Sequence, residues 1–307
     1  GVPIPIKDLD DVQGWRTSHG SMAVPDTPAE RDSLVVERFR AAGFVLMGKT
    51  NTPEFGTISM TECDRHGASR NPWNPEHTPG GSSGGAGAAV AAGMAPIAHA
   101  SDGGGSIRIP ASCNGLVGLK ASRNRITNRA QKMVAASTSG VVTRTVADSA
   151  AALDVLSVLD RVAWNVAPPP ERPFTSEVGA APGRLRIRVT ETNALGIPVD
   201  DSCAEAVQRT AALLEELGHE VLTDAPEWPD PGQFLTGFLT IWSTIAAGIP
   251  GLDPDKMQPH NKANWEAAQA TSSIAFTEAE MLLQVLSRDL IAQFDGIDVL
   301  VTPTMAV

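Results

Sequence analysis

The chain has 307 residues, of which 42% are hydrophobic and 19% charged, values typical of a soluble globular protein with a sizeable core. Its formal net charge of -11 opposes binding to a phosphate backbone, so the composition argues against a nucleic-acid-binding protein. No apolar run is long enough for a transmembrane helix, and the N-terminus lacks a signal-peptide pattern, so no membrane partner is expected. Three widely spaced cysteines, Cys63, Cys113 and Cys203, do not form a disulfide framework and favour a cytoplasmic location.

The N-terminal part of the chain alternates between strand and helix patterns. Residues 1–8 are mostly apolar and predict a buried strand. Thr27 and Glu30 have the spacing of a capping box, so we predict a helix over residues 27–42. A glycine ends that pattern, and the apolar residues 44–47 predict the next strand.

The same alternation continues to the end of the chain. Further helices are predicted at 145–159, from Ser202 as N-cap to Gly218, and at 277–294, and further strands at 184–190, 220–222 and 297–302. Residues 163–182 are rich in proline and alanine and predict a loop or linker. The pattern favours one α/β domain over residues 1–307, with helices on both faces of a sheet. Because strand patterns stand at both ends of the chain, we expect it to be truncated at both ends.

Residues 80–118 carry an unusual density of glycine, with 11 of the 28 glycines of the chain. Two glycine-serine runs stand out, Gly80-Gly-Ser-Ser-Gly-Gly and Ser101-Asp-Gly-Gly-Gly-Ser. Glycine lacks a side chain and allows positive φ, so a dense cluster lets the backbone approach a ligand closely. The glycines flank Ala, Val and Ile runs instead of polar linker residues, which favours this interpretation over flexible loops.

Ser106 follows three consecutive glycines and is the candidate nucleophile. In such a turn the amides of Gly103, Gly104 and Gly105, and that of Ser106 itself, can point to one spot. Converging amides stabilise a developing oxyanion, and one donor contributes about 3–4 kcal/mol in other enzymes. We therefore predict an oxyanion hole in this run.

A serine hydroxyl also needs a base, and two further residues are candidates for that role. Ser82, in the first glycine run, can accept a proton from Ser106 and pass it on. Lys7 ends the first predicted strand, and burial there would favour the neutral amine that can act as a base. From the local sequence, a surface lysine beside Asp8 and Asp10 is an equal alternative for Lys7.

These segments together resemble the amidase signature family. The resemblance rests on both glycine-serine runs and on several landmarks between and around them. These are Gly1-Val-Pro-Ile-Pro-Ile-Lys-Asp8, Gly48-Lys-Thr-Asn-Thr-Pro-Glu-Phe-Gly56, Arg70-Asn-Pro-Trp73, Gly115-Leu-Val-Gly-Leu-Lys120, Thr143-Arg-Thr-Val-Ala-Asp148 and Asp298-Val-Leu-Val-Thr-Pro-Thr304. The similarity spreads over nearly the whole chain and implies the family's fold, a large, mostly mixed sheet covered by helices.

The resemblance also implies a Ser-Ser-Lys mechanism. Ser106 would attack the amide carbonyl, and Ser82, which a cis peptide bond precedes in the family, would carry the proton to and from Lys7. An acyl-enzyme would form, the amine would leave, and water would release the acid. The expected reaction is hydrolysis of a non-peptide carbon–nitrogen bond.

Other positions acquire expected roles from the same resemblance. Asp102, Ser83 and Arg108 are expected to hold the glycine loops, and Gly56 and Thr57 to face the substrate. The family requires no metal or organic cofactor. The partner is therefore expected to be a small-molecule amide, with a homodimer as an open possibility.

The first glycine of the second run narrows the resemblance. Many family members carry Thr or Ile at the position of Gly103. The Gly-Gly-Gly version is similar to a subset that includes the 6-aminohexanoate cyclic-dimer hydrolases, so the substrate can be a cyclic amide or a small linear one. A catalytically inert chain on the same fold is the alternative that the expected truncation leaves open.

A second alternative makes Ser82 the nucleophile. Gly80-x-Ser82-x-Gly84 satisfies the nucleophile-elbow pattern of α/β-hydrolases, which would turn the protein into an esterase with His219 or His260 as base. An elbow needs a strand directly before it, and three prolines within residues 71–79 oppose a central strand there.

A third alternative is a metal site at Cys63 and His66, with His77 nearby. One Cys-x-x-His pair lacks the four-ligand pattern of structural zinc. We therefore favour structural or surface roles for these residues, and no metal is predicted.

Overall fold

The structure is a computed structural model that describes residues 1–130, 133 and 136–307. It confirms the predicted mixed α/β class. The strands are β1 Pro3–Lys7, β2 Val45–Thr50, β3 Glu62–Cys63, β4 Gly67–Ala68, β5 Ile97–Asp102, β6 Val117–Gly118, β7 Thr138–Thr143, β8 Arg186–Val189, β9 Glu220–Leu222 and β10 Val299–Val301. The α-helices are α1 Leu34–Ala41, α2 Gly84–Ala91, α3 Arg108–Asn114, α4 Val146–Leu156, α5 Asp201–Glu216, α6 Pro231–Trp242, α7 Pro259–Ala270 and α8 Ser273–Ala292.

The chain divides into two compact units. The first comprises Gly1–Gly179 and Trp242–Ala270, and the second comprises Ala180–Ile241 and Thr271–Val307. The first boundary falls inside the Pro/Ala-rich stretch 163–182. The single domain over residues 1–307 stays a prediction.

In the described part of the first unit, β3 and β4 form a small antiparallel pair, and two other small sheets pack side by side. β1 and β2 pair in parallel, while β5 and β6 both pair antiparallel with β7. β1 packs against β5, although the two strands belong to different hydrogen-bonded sheets. A buried apolar cluster joins β1, α1 and α4 beneath them, with Ile4, Phe39 and Leu156 among its fully buried side chains. The C-terminal ends of β1 and β5 are thereby held close together.

The glycine-rich segment is ordered by close packing. Its first part forms α2, although glycine is a poor helix former. A Cβ atom at Gly85 would lie 2.5 Å from the Asn51 backbone nitrogen, and one at Gly87 would lie 2.8 Å from Asn114 Nδ2. These glycines therefore allow α2 to approach its neighbours. The close approach that was predicted toward a ligand is, at these two positions, an approach to other segments of the chain.

The second unit is a three-stranded parallel sheet with the order β10-β8-β9. Strand β8 lies in the centre, and α5 connects it to β9 in a βαβ arrangement. Ile187, Val189 and Val207 form the buried core between this sheet and α5. The predicted strands at 184–190, 220–222 and 297–302 are confirmed as β8, β9 and β10.

The predicted helix starts are less accurate than the helices themselves. The capping box at Thr27 is wrong, because Pro28 forms an isolated bridge with Arg16 and α1 begins only at Leu34. The N-cap at Ser202 is also wrong: Asp200 caps α5 by accepting a hydrogen bond from the Ser202 amide. The helix at Ser202 thus begins earlier than the local pattern indicates, and the helix at Thr27 begins later, because contacts elsewhere in the chain decide where each first turn forms.

Candidate active site

Lys7 ends β1 and is completely buried. Its Nζ lies 2.8 Å from Ser82 Oγ, 3.3 Å from Ser101 Oγ and 3.4 Å from the Ser101 carbonyl oxygen. The backbone amide of Lys7 donates to Nδ1 of His99, 3.3 Å away on β5. The alternative of a surface lysine is therefore wrong, since the side chain points into the protein toward three oxygen atoms.

Ser82 lies in a tight turn directly before α2. The Gly81–Ser82 peptide bond is cis, as the resemblance implied. Thr61 holds this turn from both sides, because its hydroxyl donates to the Gly80 carbonyl and accepts from the Gly84 amide. Ser82 is nearly fully buried, and its hydroxyl is held at the Lys7 amine.

Ser106 follows β5 in the second glycine run and is 9% exposed. Within the described part of the chain its hydroxyl makes no hydrogen bond, so the structure joins Lys7 to Ser82 but does not join Ser106 to either. Catalytic hydrogen bonds are often long in enzymes without substrate and tighten in the complex.

The glycine amides before Ser106 do not all remain available to a ligand. Gly105 N–H donates to Asp102 Oδ1 at 2.7 Å, which corrects its assignment to the oxyanion hole, because one N–H makes one strong hydrogen bond. Among described residues, the amides of Gly103, Gly104 and Ser106 have no acceptor. These three are the remaining candidate donors.

Asp102 is the fully buried anchor of this loop. Its carboxylate accepts from the amides of Gly105 and Ile107 and from Nε and Nη2 of Arg108, the last two both at 2.9 Å. Burial raises the pKa of Asp102, but the hydrogen bonds and positive charge of Arg108, helped by the two amides, outweigh it and hold the pKa below its ordinary value. Ser83 contributes separately, since its hydroxyl donates to the Ser101 carbonyl oxygen at 3.3 Å.

Of the two residues expected to face the substrate, Gly56 lies next to Ser82. Gly56 has φ +73, and a Cβ atom there would be 3.1 Å from Ser82 Oγ and 2.8 Å from Leu9 Cδ1. Thr57 is tied to α7 instead, because its hydroxyl donates to Asn261 Oδ1 at 2.7 Å. Gly56 therefore borders the site directly, and Thr57 is held by a residue that sequence reasoning did not select.

Sequence reasoning also missed the roles of Ser101 and His99. Both lie on β5, two positions apart, so both side chains project from the same face of the strand toward β1. His99 is fully buried, and its Nδ1 accepts the hydrogen bond from the Lys7 backbone amide. The periodicity of β5 could have indicated that these residues flank the lysine, but no local pattern identifies their partner.

The structure around Ser82 does not match the nucleophile elbow of α/β-hydrolases. Residues 71–80 contain no strand. Ser82 has Lys7 as its hydrogen-bond partner, whereas Nδ1 of His219 accepts from the Leu185 amide and His260 is exposed.

The candidate metal ligands do not form a binding site either. Among the described residues no group of three or more His, Cys, Asp or Glu side chains could hold a metal ion. His66 instead lies 3.1 Å from the Ser18 hydroxyl, and the Cys63 thiol is buried.

Among the helices of the described residues, none combines the length and apolar character needed to cross a membrane.

Comparison with known proteins identifies the class to which this fold and site belong. The sequence model of the Amidase family matches residues 1–307. The chain therefore belongs to the amidase signature family.

Individual relatives extend this result. AmiB2 of Mycobacterium tuberculosis is 40% identical over 312 residues, covering 100% of this chain and 65% of the relative. The 6-aminohexanoate-cyclic-dimer hydrolase of Paenarthrobacter ureafaciens is 43% identical over 256 residues, covering 80% of this chain and 52% of the relative. The chain thus spans between half and two thirds of the length of these curated relatives.

Solved structures show the same likeness. The structure of 6-aminohexanoate cyclic dimer hydrolase complexed with substrate superposes with a TM-score of 0.90 at 35% identity, covering 97% of this chain and 66% of that one. A bacterial aryl acylamidase of the amidase signature family also has a TM-score of 0.90, at 27% identity, covering 100% of this chain and 66% of that one.

Proposed function

We propose that this chain carries the catalytic centre of an amidohydrolase that cleaves a non-peptide carbon–nitrogen bond. Ser106 is the nucleophile, Ser82 relays the proton and Lys7 is the base. The observation that carries the proposal is the 2.8 Å contact between Lys7 Nζ and Ser82 Oγ in a fully buried setting. A buried amine in contact with a hydroxyl is an arrangement suited to proton transfer.

The complete burial of Lys7 favours a neutral amine as the acting form, because burial disfavours the charged form. Such an amine has two N–H donors and one lone pair. Ser101 offers two acceptors, its carbonyl oxygen and its hydroxyl. If both N–H groups point at Ser101, the lone pair faces Ser82 Oγ and can accept its proton.

In the first half of the reaction, Ser106 Oγ attacks the amide carbonyl carbon and its proton passes through Ser82 to Lys7. The carbonyl oxygen becomes an oxyanion that the amides of Gly103, Gly104 and Ser106 can stabilise. The same proton then returns through Ser82 to the leaving amine as the carbon–nitrogen bond breaks. Water then attacks the acyl-enzyme, and its proton passes through Ser82 to Lys7. As the ester bond breaks, that proton returns through Ser82 to Ser106 Oγ, and the acid is released.

The proposed substrate is a small amide, either cyclic or linear. A relative at 43% identity is named for hydrolysis of a cyclic dimer of 6-aminohexanoate, and a structural neighbour for aryl acylamide hydrolysis, so both kinds belong in a substrate panel. The cytoplasmic location and the homodimer stay predictions.

Labelling with a fluorophosphonate probe, followed by peptide mass mapping, tests the mechanism. We expect a covalent adduct on Ser106, no adduct in Ser106→Ala, and strongly slowed labelling in Ser82→Ala and Lys7→Ala. An adduct on Ser82 would favour the elbow mechanism. A folded protein without any adduct would contradict the proposal and favour an inert chain.

A further inference from the structure

Glu54 is a buried carboxylate, 1% exposed, beside the proposed relay serine. It begins the short 3-10 turn Glu54–Gly56 that follows β2. Its two carboxylate oxygens accept three hydrogen bonds, from Ser21 Oγ at 2.6 Å and from Gln258 N and Asn261 Nδ2, each at 2.9 Å. A buried carboxylate is tolerated only where donors satisfy it, so this turn is fixed by those three partners.

Asn261 supplies the central contact and is 2% exposed. It lies on α7, and its Nδ2 donates both to Glu54 Oε2 and to the Glu54 carbonyl oxygen at 3.2 Å. Its Oδ1 accepts from the Thr57 hydroxyl at 2.7 Å. The Glu54 carbonyl oxygen and Oε2 are both acceptors here, so the NH2 group of the Asn261 amide must face them and its oxygen must face Thr57.

The Asn261 amide therefore bonds to both ends of the turn, to Glu54 at its start and to Thr57 directly after it. Gly56 lies between them, and a Cβ atom added to it would come within 3.1 Å of Ser82 Oγ. Phe55 packs in a buried cluster with Met257, which adds an apolar contact between the turn and the segment before α7. The position of the backbone next to Ser82 is thus set by α7, more than 200 residues along the chain.

We propose that Asn261 and Glu54 are positioning residues for the relay serine. Neither touches the reacting atoms. They hold the turn Glu54–Gly56 against Ser82, so that the Ser82 hydroxyl stays at the Lys7 amine. This inference rests on the proposed function, because it assigns the two residues to the same proton relay.

A reciprocal exchange of donor and acceptor tests the proposal. Asn261→Asp places a second carboxylate against Glu54, and the repulsion should displace the turn. Glu54→Gln alone should have a small effect, since its amide can rotate to donate to Ser21. In the double variant Glu54→Gln/Asn261→Asp, the new side-chain amide can donate to the new carboxylate, which still accepts from Thr57. The Gln258 amide and the backbone carbonyl oxygen of residue 54 stay without their partners, so the rescue is partial.

The readout is the rate of fluorophosphonate labelling of Ser106, measured well below the melting temperature of each variant. A misplacement of about 1 Å near a site can cost about 10²-fold in rate, so we expect a loss of that order in Asn261→Asp and recovery of part of it in the double variant. Asn193→Asp is the matched control, because Asn193 is a half-buried loop residue of the second unit whose side chain, among the described residues, bonds to its own loop. It should label at the wild-type rate.

Two results would overturn the inference. One is a wild-type rate in Asn261→Asp. The other is a double variant that labels no faster than Asn261→Asp. If Asn261→Asp fails to fold, Thr57→Val removes the hydroxyl that contacts Asn261 Oδ1 and, at 3.2 Å, the Glu54 carbonyl oxygen, and an unchanged rate in that variant would equally contradict the role. Failure of the proposed function is a separate outcome, since the wild-type protein itself would then not label at Ser106.

Discussion

Replacement of Asp102 by Asn tests how the nucleophile loop is held. The aspartate has two acceptor oxygens. Oδ1 accepts from the Gly105 amide and Arg108 Nη2, and Oδ2 accepts from the Ile107 amide, from Arg108 Nε and, at 3.4 Å, from the Arg108 amide. Asn keeps the shape but offers one acceptor oxygen. Its NH2 group must then face one amide, either that of Gly105 or that of Ile107, together with one Arg108 donor.

The expected cost follows from these contacts. An unsatisfied buried backbone donor costs about 1–3 kcal/mol. The Arg108 side chain is 47% exposed, so water compensates part of its lost ion pair, and that loss adds only about 1 kcal/mol. We therefore expect Asp102→Asn to lower the free energy of unfolding by about 2–4 kcal/mol. Labelling of Ser106 should slow as well, because the amides of its loop lose an anchor.

Urea unfolding at several pH values measures this effect. With a slope of about 2–3 kcal/mol/M, the midpoint of the variant should fall by about 1 M at neutral pH. The exposed Asp289→Asn is the control and should change the free energy of unfolding by less than about 0.5 kcal/mol.

The pH dependence has a definite sign. The folded protein holds the pKa of Asp102 below its ordinary value, so the stabilising contribution is complete above the unfolded value of about 3.9 and is lost as the pH falls through the folded value. The difference between wild type and variant should therefore narrow under acid conditions. An unchanged midpoint at neutral pH, or a difference that stays constant down to acid pH, would refute this account.

Two further substitutions test the relay itself. Lys7→Ala should lower turnover of a responsive amide by about 10²–10⁴-fold and by more than any His→Ala change, measured as kcat, and a histidine variant that abolishes turnover while Lys7→Ala retains it would contradict the mechanism. Gly56→Ala should lower the free energy of unfolding by about 1–2 kcal/mol because of its positive φ. Gly179→Ala, at φ +81 with nothing within 4 Å, should lose similar stability in urea unfolding. Only Gly56→Ala should slow Ser106 labelling, and equal labelling rates would show that the contact with Ser82 is unimportant.

Much of the site could be predicted because its residues lie in distinctive local runs. The glycine-serine runs select Ser82 and Ser106, and an apolar strand that ends in a lysine selects Lys7. The helix start at Thr27 was wrong for the opposite reason. A capping box is a short polar pattern, and contacts with residues far away in the chain can replace it, as the bridge between Pro28 and Arg16 does.

The sequence by itself determined the α/β class, the family and the three candidate reacting side chains, because strand periodicity, glycine content and motif spacing are local properties of the chain. Only the tertiary structure decided which groups meet. In the folded chain the Gly105 amide donates to Asp102, the Lys7 amine contacts Ser101, and the Asn261 amide donates to Glu54. Each of these contacts depends on how distant segments pack, and a hydrogen bond needs a partner within about 3 Å in a suitable direction. Local patterns do not encode that distance or direction, so folding alone sets which donor satisfies which acceptor.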